Sequence, residues 1–319
     1  MNLFTAPKRV LRIFAFIAIT LLFMPLAGAQ EVITGDSPVL DRIMSTGVLK
    51  VGVNPLFKPF SFFQEDKNEK QFSSLIETKD DSKKKRMGVD IDIARLLAMG
   101  LGVKLQIVVP DSFSDLIPMV QDDKVDIVMA GMTINFKRAK KVDFTSPYYD
   151  TGLSIMLNKG MGGPLGLTGV KSYEMMMNTL RARGQEQNLI IAVTKGKSPA
   201  RSVPLYFPKA QVKEFPTNEE AANAVAEGKA HIMVHDEIFL KMWVADHKDK
   251  ALYKLEVFPK PFKPDYYGFA VKRGNRDFVN MLNIFIRELY VEGYFKQIMQ
   301  QYLSAYKIPA KWNVGEGEL

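Results

Sequence analysis

Two residues of opposite charge, Arg138 and Asp236, occupy comparable places in the chain, each following a short and largely apolar run, Val125–Ala130 before the arginine and Ala230–Val234 before the aspartate. A planar guanidinium holds a carboxylate through two parallel hydrogen bonds, fixing orientation as well as charge, which a lysine ammonium does not do. A carboxylate in turn holds an ammonium. If both runs are buried strands in separate sheets, each charge lies at a carboxyl edge, where open α/β folds take their ligands. One lobe then offers a cation and the other an anion, the minimum with which a small zwitterion can draw two lobes together. Catalytic groups are scarce beside this pair. There is no cysteine, so no disulfide and no thiol nucleophile. The three histidines have no Cys or carboxylate at metal-ligand spacing, so neither a metal nor a cofactor is expected, and His235 reads as a hydrogen-bonded residue at a pocket edge.

The elements that must position these charges follow from periodicity. Ser37-Pro38 opens a helix that Gly47 ends, Val48–Val53 reads as a strand, and an aromatic loop follows with Phe57, Phe60, Phe62 and Phe63. Residues 64–86 are polar and lysine-rich, a surface insertion whose Lys83–Arg86 cluster suits a solvated loop. From Gly88 the pattern alternates: a helix to Leu101, a strand at Val103–Val109, a helix at Phe113–Gln121, a strand at Val125–Ala130. The second half repeats it with strands at Leu189–Val193 and Ala230–Val234 around a Thr217–Glu227 helix, then a strand at Tyr267–Val271 and two helices over Asp277–Tyr302 separated by Gly293. The Met175–Met177 run is read as packing or adaptable surface. Strands alternating with helices imply parallel sheets with crossover connections. The expected architecture is two-lobed α/β, each lobe a mostly parallel sheet flanked by helices. Lobe 1 is discontinuous, 37–151 and 264–319; lobe 2 is 156–258; two hinge strands lie near 151–157 and 257–264.

The run Ala130-Gly131-Met132-Thr133-Ile134-Asn135-Phe136-Lys137-Arg138, continuing through Val142-Asp143-Phe144-Thr145-Ser146-Pro147-Tyr148-Tyr149, closely resembles the periplasmic polar-amino-acid-binding proteins of ABC importers, the group with the glutamine and lysine-arginine-ornithine receptors. Val51-Gly52-Val53, Gly88-Val89-Asp90-Ile91-Asp92, Phe113-Ser114-Asp115-Leu116-Ile117-Pro118 and His235-Asp236 extend the resemblance in order, from about residue 47 to 303. It implies the periplasmic-binding-protein-like fold, with Arg138 on the ligand carboxylate, Gly131 and Thr133 giving backbone and hydroxyl contacts, and Asp236 on the ammonium. It further implies Asn54, Phe57 and Phe113 around the ligand side chain, with Asp90 where some members place a polar contact. The chain departs from the pattern at Thr194-Lys195-Gly196-Lys197-Ser198-Pro199, in place of a small Gly-Thr-Thr or Gly-Thr-Ser turn. Ser198-Pro199 still reads as a helix start whose N–H groups can face an anion. Lys197 adds a charge beside the expected carboxylate: pointing inward it makes an acidic or dicarboxylic ligand plausible, and pointing outward it changes nothing.

Lys8, Arg9 and Arg12 precede an apolar run from Ile13 to Met24 and then Ala27-Gly28-Ala29, the pattern of a cleaved signal peptide over residues 1–29. The run is shorter than the ~20 apolar residues of a membrane span and is broken by Pro25. The formal charge of +8 falls to about +5 once those three basic residues leave, too small and too dispersed for nucleic acid. The expectation is a periplasmic monomer without lipid anchor or enzymatic activity, binding a small amino acid and docking on the permease of an ABC importer. A cyclohexadienyl dehydratase on the same scaffold and a sensory or accessory binding protein are the alternatives; an enzyme would need a placed general acid, for which His235 and Glu237 are candidates only by proximity.

Overall fold

A computed structural model describes residues 37–63 and 86–306; the expected signal peptide and residues 64–85 of the insertion lie outside the described residues. The first helix, Pro38–Thr46, starts at the expected proline and ends at Gly47, whose φ of 66° closes it with an N–H bond to the Ile43 carbonyl. The Ser37 hydroxyl does not cap this helix. It accepts instead from the Phe278 N–H, tying the start of this helix to the Arg276–Val291 helix.

Among the described residues six strands precede the first crossing: β1 Val48–Gly52, β2 Phe62–Phe63, β3 Arg86–Met87, β4 Lys104–Val108, β5 Ile127–Val128 and β6 Val142–Phe144. The second half adds β7 Tyr149–Asn158, β8 Ile190–Thr194, β9 Gln211–Phe215, β10 Ile232–Asp236, β11 Leu255–Val257, β12 Lys263–Tyr267 and β13 Ala270–Lys272. The first sheet runs β4-β1-β5-β13-β6, with β1 parallel to β4 and β5 and with β13 antiparallel to β5 and β6. The second runs β11-β7-β10-β8-β9, with β8 parallel to β9 and β10 and with β7 antiparallel to β10, β11 and β12. In the two large sheets every antiparallel pair includes β7, by which the chain enters the second sheet, or β13, its first strand back in the first.

Apolar burial holds each lobe. Leu49, Val51, Ile93 and Leu97 pack with Phe278, Leu282 and Phe295 of the two final helices, which therefore belong with the first sheet. Ile155, Leu157, Leu180, Ile191, Val193, Ile232 and Val234 form the second core, each such side chain contributing about 1.5–3 kcal/mol when fully buried. Met176 and Met177 join that core while Met175 stays exposed.

The crossing is made by β7 and β12, paired from Tyr149 opposite Tyr267 to Leu153 opposite Lys263. The second of these strands lies beyond Pro259 and Pro261, which have no N–H to give a ladder, and overlaps the expected 257–264 stretch at Lys263 and Pro264. The single strand expected at Tyr267–Val271 is likewise two: Tyr267 ends the crossing strand and Ala270 begins a strand of the first sheet. Gly268 sits at the break, where a Cβ would meet the Ile134 side chain at 2.7 Å.

Candidate ligand-binding site

Arg138 lies on the one-turn helix Phe136–Ala139 that follows β5, and Asn135 caps that turn by accepting from the Arg138 N–H at 3.0 Å. Its guanidinium donates to the Thr133 carbonyl at 2.9 Å and stands over the Phe113 ring, 5.3 Å from its centre. The side chain is 7% exposed, and among the described residues no carboxylate pairs with it. Burial, and secondarily Arg201, pull its pKa down to about 9, while Asp265 and Tyr267 oppose the fall. A buried cation with only a neutral carbonyl partner is costly unless an anion joins it.

Asp236 ends β10 at the first turn of the Glu237–Asp246 helix, and it is 5% exposed. Thr151 Oγ1 donates to it at a long 3.4 Å. Tyr267 Oη is buried without a hydrogen bond of good geometry, yet lies close enough to favour the charged carboxylate. Burial first, then Asp265, raise the Asp236 pKa to about 7. His235 beside it accepts the Asp236 N–H at Nδ1, 2.8 Å away, so the proton is assigned to Nε2, which donates to Asn218 Oδ1 at 3.1 Å. Burial keeps this imidazole neutral, its pKa well below the ordinary value, with Lys197 pushing the same way.

Every predicted site residue except Asp90 lines one small cavity of about 20 Å³: Asn54, Phe57, Phe113, Gly131, Thr133 and Arg138 from the first lobe, Lys197, Ser198, His235 and Asp236 from the second. Gly131 has φ of 54°, and a Cβ there would stand 2.6 Å from the Phe57 ring, so glycine lets that ring reach the cavity. Asn54 is held by its own amide on the Ala130 carbonyl at 3.3 Å. Thr133 Oγ1 and Ser198 Oγ both donate to Asp265 Oδ2, at 3.2 and 3.3 Å, so this carboxylate on β12 touches a hydroxyl of each lobe.

Lys197 points inward. The residue is partly exposed, and its ammonium stands 5.1 Å from the Phe57 ring centre and 5.2 Å from that of Phe113. Burial lowers its pKa to about 8, Asp236 opposing and Arg138 adding to the fall.

Asp90, expected as a polar contact, is elsewhere. It is 0% exposed in the first turn of the Val89–Leu101 helix, takes the Tyr148 hydroxyl at 2.6 Å, and lies behind Gly131 away from the cavity. Burial there raises its pKa to about 7. The sequence also misplaced Arg86 in a solvated cluster. Arg86 is 7% exposed, donates to the Asn54 and Pro55 carbonyls at 3.1 and 3.0 Å and to Ser61 Oγ at 2.7 Å, and so braces the loop that carries Asn54. Asp265, Tyr267 and Asn218 were missed because their places come from the crossing strand and a neighbouring helix, with no motif to mark them.

A second cavity of about 1000 Å³ adjoins the first across Asn54, Phe113 and Lys197 and opens between Phe62 and Phe63 on one side and Phe239, Trp243 and His247 on the other. Its rim is closed at one point by Lys58 of the first lobe, paired with Asp246 of the second at 2.8 Å.

This arrangement, two sheets clasping a small charged cavity beside a two-strand crossing, agrees with the sequence comparisons. The profile of the bacterial extracellular solute-binding proteins, family 3, matches residues 74–305. The chain belongs to that family. It is 29% identical over 219 residues to the glutamine-binding protein of an ABC transporter in Bacillus subtilis, covering 68% of this chain and 72% of that one. It is 30% identical to a cyclohexadienyl dehydratase of Pseudomonas aeruginosa, over 62% of this chain and 63% of the enzyme. Among solved structures, an ancestral amino-acid-binding protein that is a precursor of cyclohexadienyl dehydratase matches with TM-score 0.65 and 30% identity, covering 82% of this chain and 98% of that one. The two-lobed fold of this solute-binding protein is thus shared with amino-acid-binding relatives. No helix among the described residues is long and apolar enough to cross a membrane.

Proposed function

We propose that this protein is a periplasmic receptor that captures an amino acid between its lobes and delivers it, as a monomer, to the permease of an ABC importer. The observation that carries the reading is Arg138: a buried guanidinium at a sheet edge, lining an interlobe cavity and lacking a carboxylate partner among the described residues. The ligand's carboxylate supplies that partner, Asp236 from the opposite lobe takes the ammonium, and Phe57 and Phe113 enclose what lies between. Bending at β7 and β12, between a lobe 1 of 37–151 and 264–319 and a lobe 2 of 156–258, opens and closes the cavity. Closure is favoured because ligand touches both lobes at once. Calorimetry against the twenty amino acids should find at least one ligand, with binding lost on Arg138→Ala; undiminished affinity in that variant removes the assignment.

The similarity to a dehydratase, together with the Asp236 carboxyl held near pH 7 inside the cavity, favours a second reading as an elimination enzyme. Of the acids expected from sequence, Glu237 is paired with Lys241 at 2.8 Å and the His235 Nε2 proton is engaged by Asn218, which is why binding is preferred. Incubation with prephenate decides it: formation of phenylpyruvate, lost on Asp236→Asn, would establish the enzyme.

A further inference from the structure

We propose that the ligand carries a second carboxylate, and that Lys197 is the residue that selects it. The inference rests on the reading above, in which Arg138 takes the first carboxylate.

Three observations support it. The Lys197 ammonium lines the cavity over the Phe57 and Phe113 rings and has no ion pair or hydrogen bond to a carboxylate among the described residues. Arg138 stands over the same Phe113 ring, so two cations flank one aromatic plate and neither is neutralised by contact. The surrounding charge is also in excess: Arg201 lies near enough to depress Arg138 and has a buried Nη2 without a partner, while Asp265 is shared with Lys263 at 3.7 Å. Among the charged residues that line the small cavity, two cations, Arg138 and Lys197, face one carboxylate, Asp236. A neutral zwitterion leaves that excess in a low-dielectric cavity; a ligand with a further negative charge removes it.

The same geometry disfavours a basic ligand. Asp90, the acid that could have met a ligand cation, is fully buried against the Tyr148 hydroxyl and does not line the cavity. Of the three carboxylates that line the larger cavity, Asp246 is occupied by Lys58 and Tyr306, Glu219 by Trp243 and His247, and Asp111 is exposed to solvent. A ligand chain leaving Arg138 meets Lys197 first, at the junction of the two cavities. Aromatic rings hold an ammonium without quenching its charge, so the lysine is kept in place and available to an anion.

The test is calorimetry at pH 7 with glutamate, aspartate, their amides, arginine, lysine, glutarate and 2-oxoglutarate, on the parent, Lys197→Met and Arg138→Ala. The parent should bind glutamate or aspartate at least tenfold more tightly than the matching amide, the equivalent of about 1.4 kcal/mol. Lys197→Met should erase that preference, weakening the acid far more than the amide, with a cooperative melt showing that the variant is folded. Binding of glutarate or 2-oxoglutarate at comparable strength supports the second carboxylate and shows the ammonium to be dispensable. If the parent prefers a neutral or basic amino acid, Arg138-dependent and unmoved by Lys197→Met, the inference is overturned and the receptor reading stands. If no compound of the panel binds the parent, the inference is overturned, and the receptor reading falls only if the remaining amino acids of the twenty also fail to bind.

Discussion

At the scale of single residues, the site is a set of buried charges whose protonation is coupled to stability and to binding with opposite signs. The Asp236 carboxyl is raised to about 7 by burial first and Asp265 second. A folded pKa above the unfolded value means that the stabilising contribution is full below the unfolded value, about 4, and is lost as pH rises through about 7. Melting of the ligand-free protein is therefore expected to fall in temperature across that window, with Asp90, also raised to about 7, adding to the fall. Affinity for an α-amino acid should run the other way, strengthening toward about pH 7 by up to tenfold per unit, because the ammonium needs the ionised Asp236. Asp236→Asn should flatten the affinity profile and only part of the stability profile; an unchanged affinity profile would remove Asp236 from the ammonium site. Arg138→Lys keeps the charge but not the fork. It should lose binding by about tenfold or more by calorimetry, since a bidentate pair is stronger than a point contact.

At the scale of elements, the aromatic loop after β1 couples the cavity to the crossing strands. Phe60 is fully buried, with its ring centre 5.0 Å from Phe57 of the cavity and 5.3 Å from both Tyr149 of β7 and Tyr267 of β12. Phe60→Ala should cost about 3–5 kcal/mol in denaturant unfolding and weaken ligand binding, because it removes support from both Phe57 and the crossing. Gly131→Ala is the complementary case. Its φ of 54° disfavours a side chain and the added Cβ would displace Phe57, so a loss of affinity larger than the loss of stability is expected when calorimetry and melting are compared. Equal affinity in this variant would show that the Phe57 ring is not placed by its contact with Gly131.

At the scale of the molecule, the cavity around Arg138 and Asp236, about 20 Å³, holds little more than a water, so an amino acid enters only if the lobes part or Lys197 swings toward the larger cavity. Small-angle scattering distinguishes these. Hinge bending predicts a radius of gyration that changes on saturation with ligand and does not change for Arg138→Ala, whereas a swinging lysine leaves it constant. How much of this was legible beforehand divides by the range of the interaction. Periodicity and turn chemistry are local, so the strand and helix alternation, the charged pair Arg138 and Asp236 after their apolar runs, and the gathering of residues around them could all be read from sequence. Arg86 was misplaced because a lysine-rich neighbourhood says nothing of the carbonyls a buried guanidinium finds across a hairpin. Asp90 was drawn to the ligand by its motif, and packing against Tyr148 put it behind the cavity wall. For Lys197 the sequence left inward and outward equally open. Only the tertiary structure decided it, because the direction of a long side chain depends on which rings stand over the turn, and Phe57 and Phe113 come from the opposite lobe, far away in sequence.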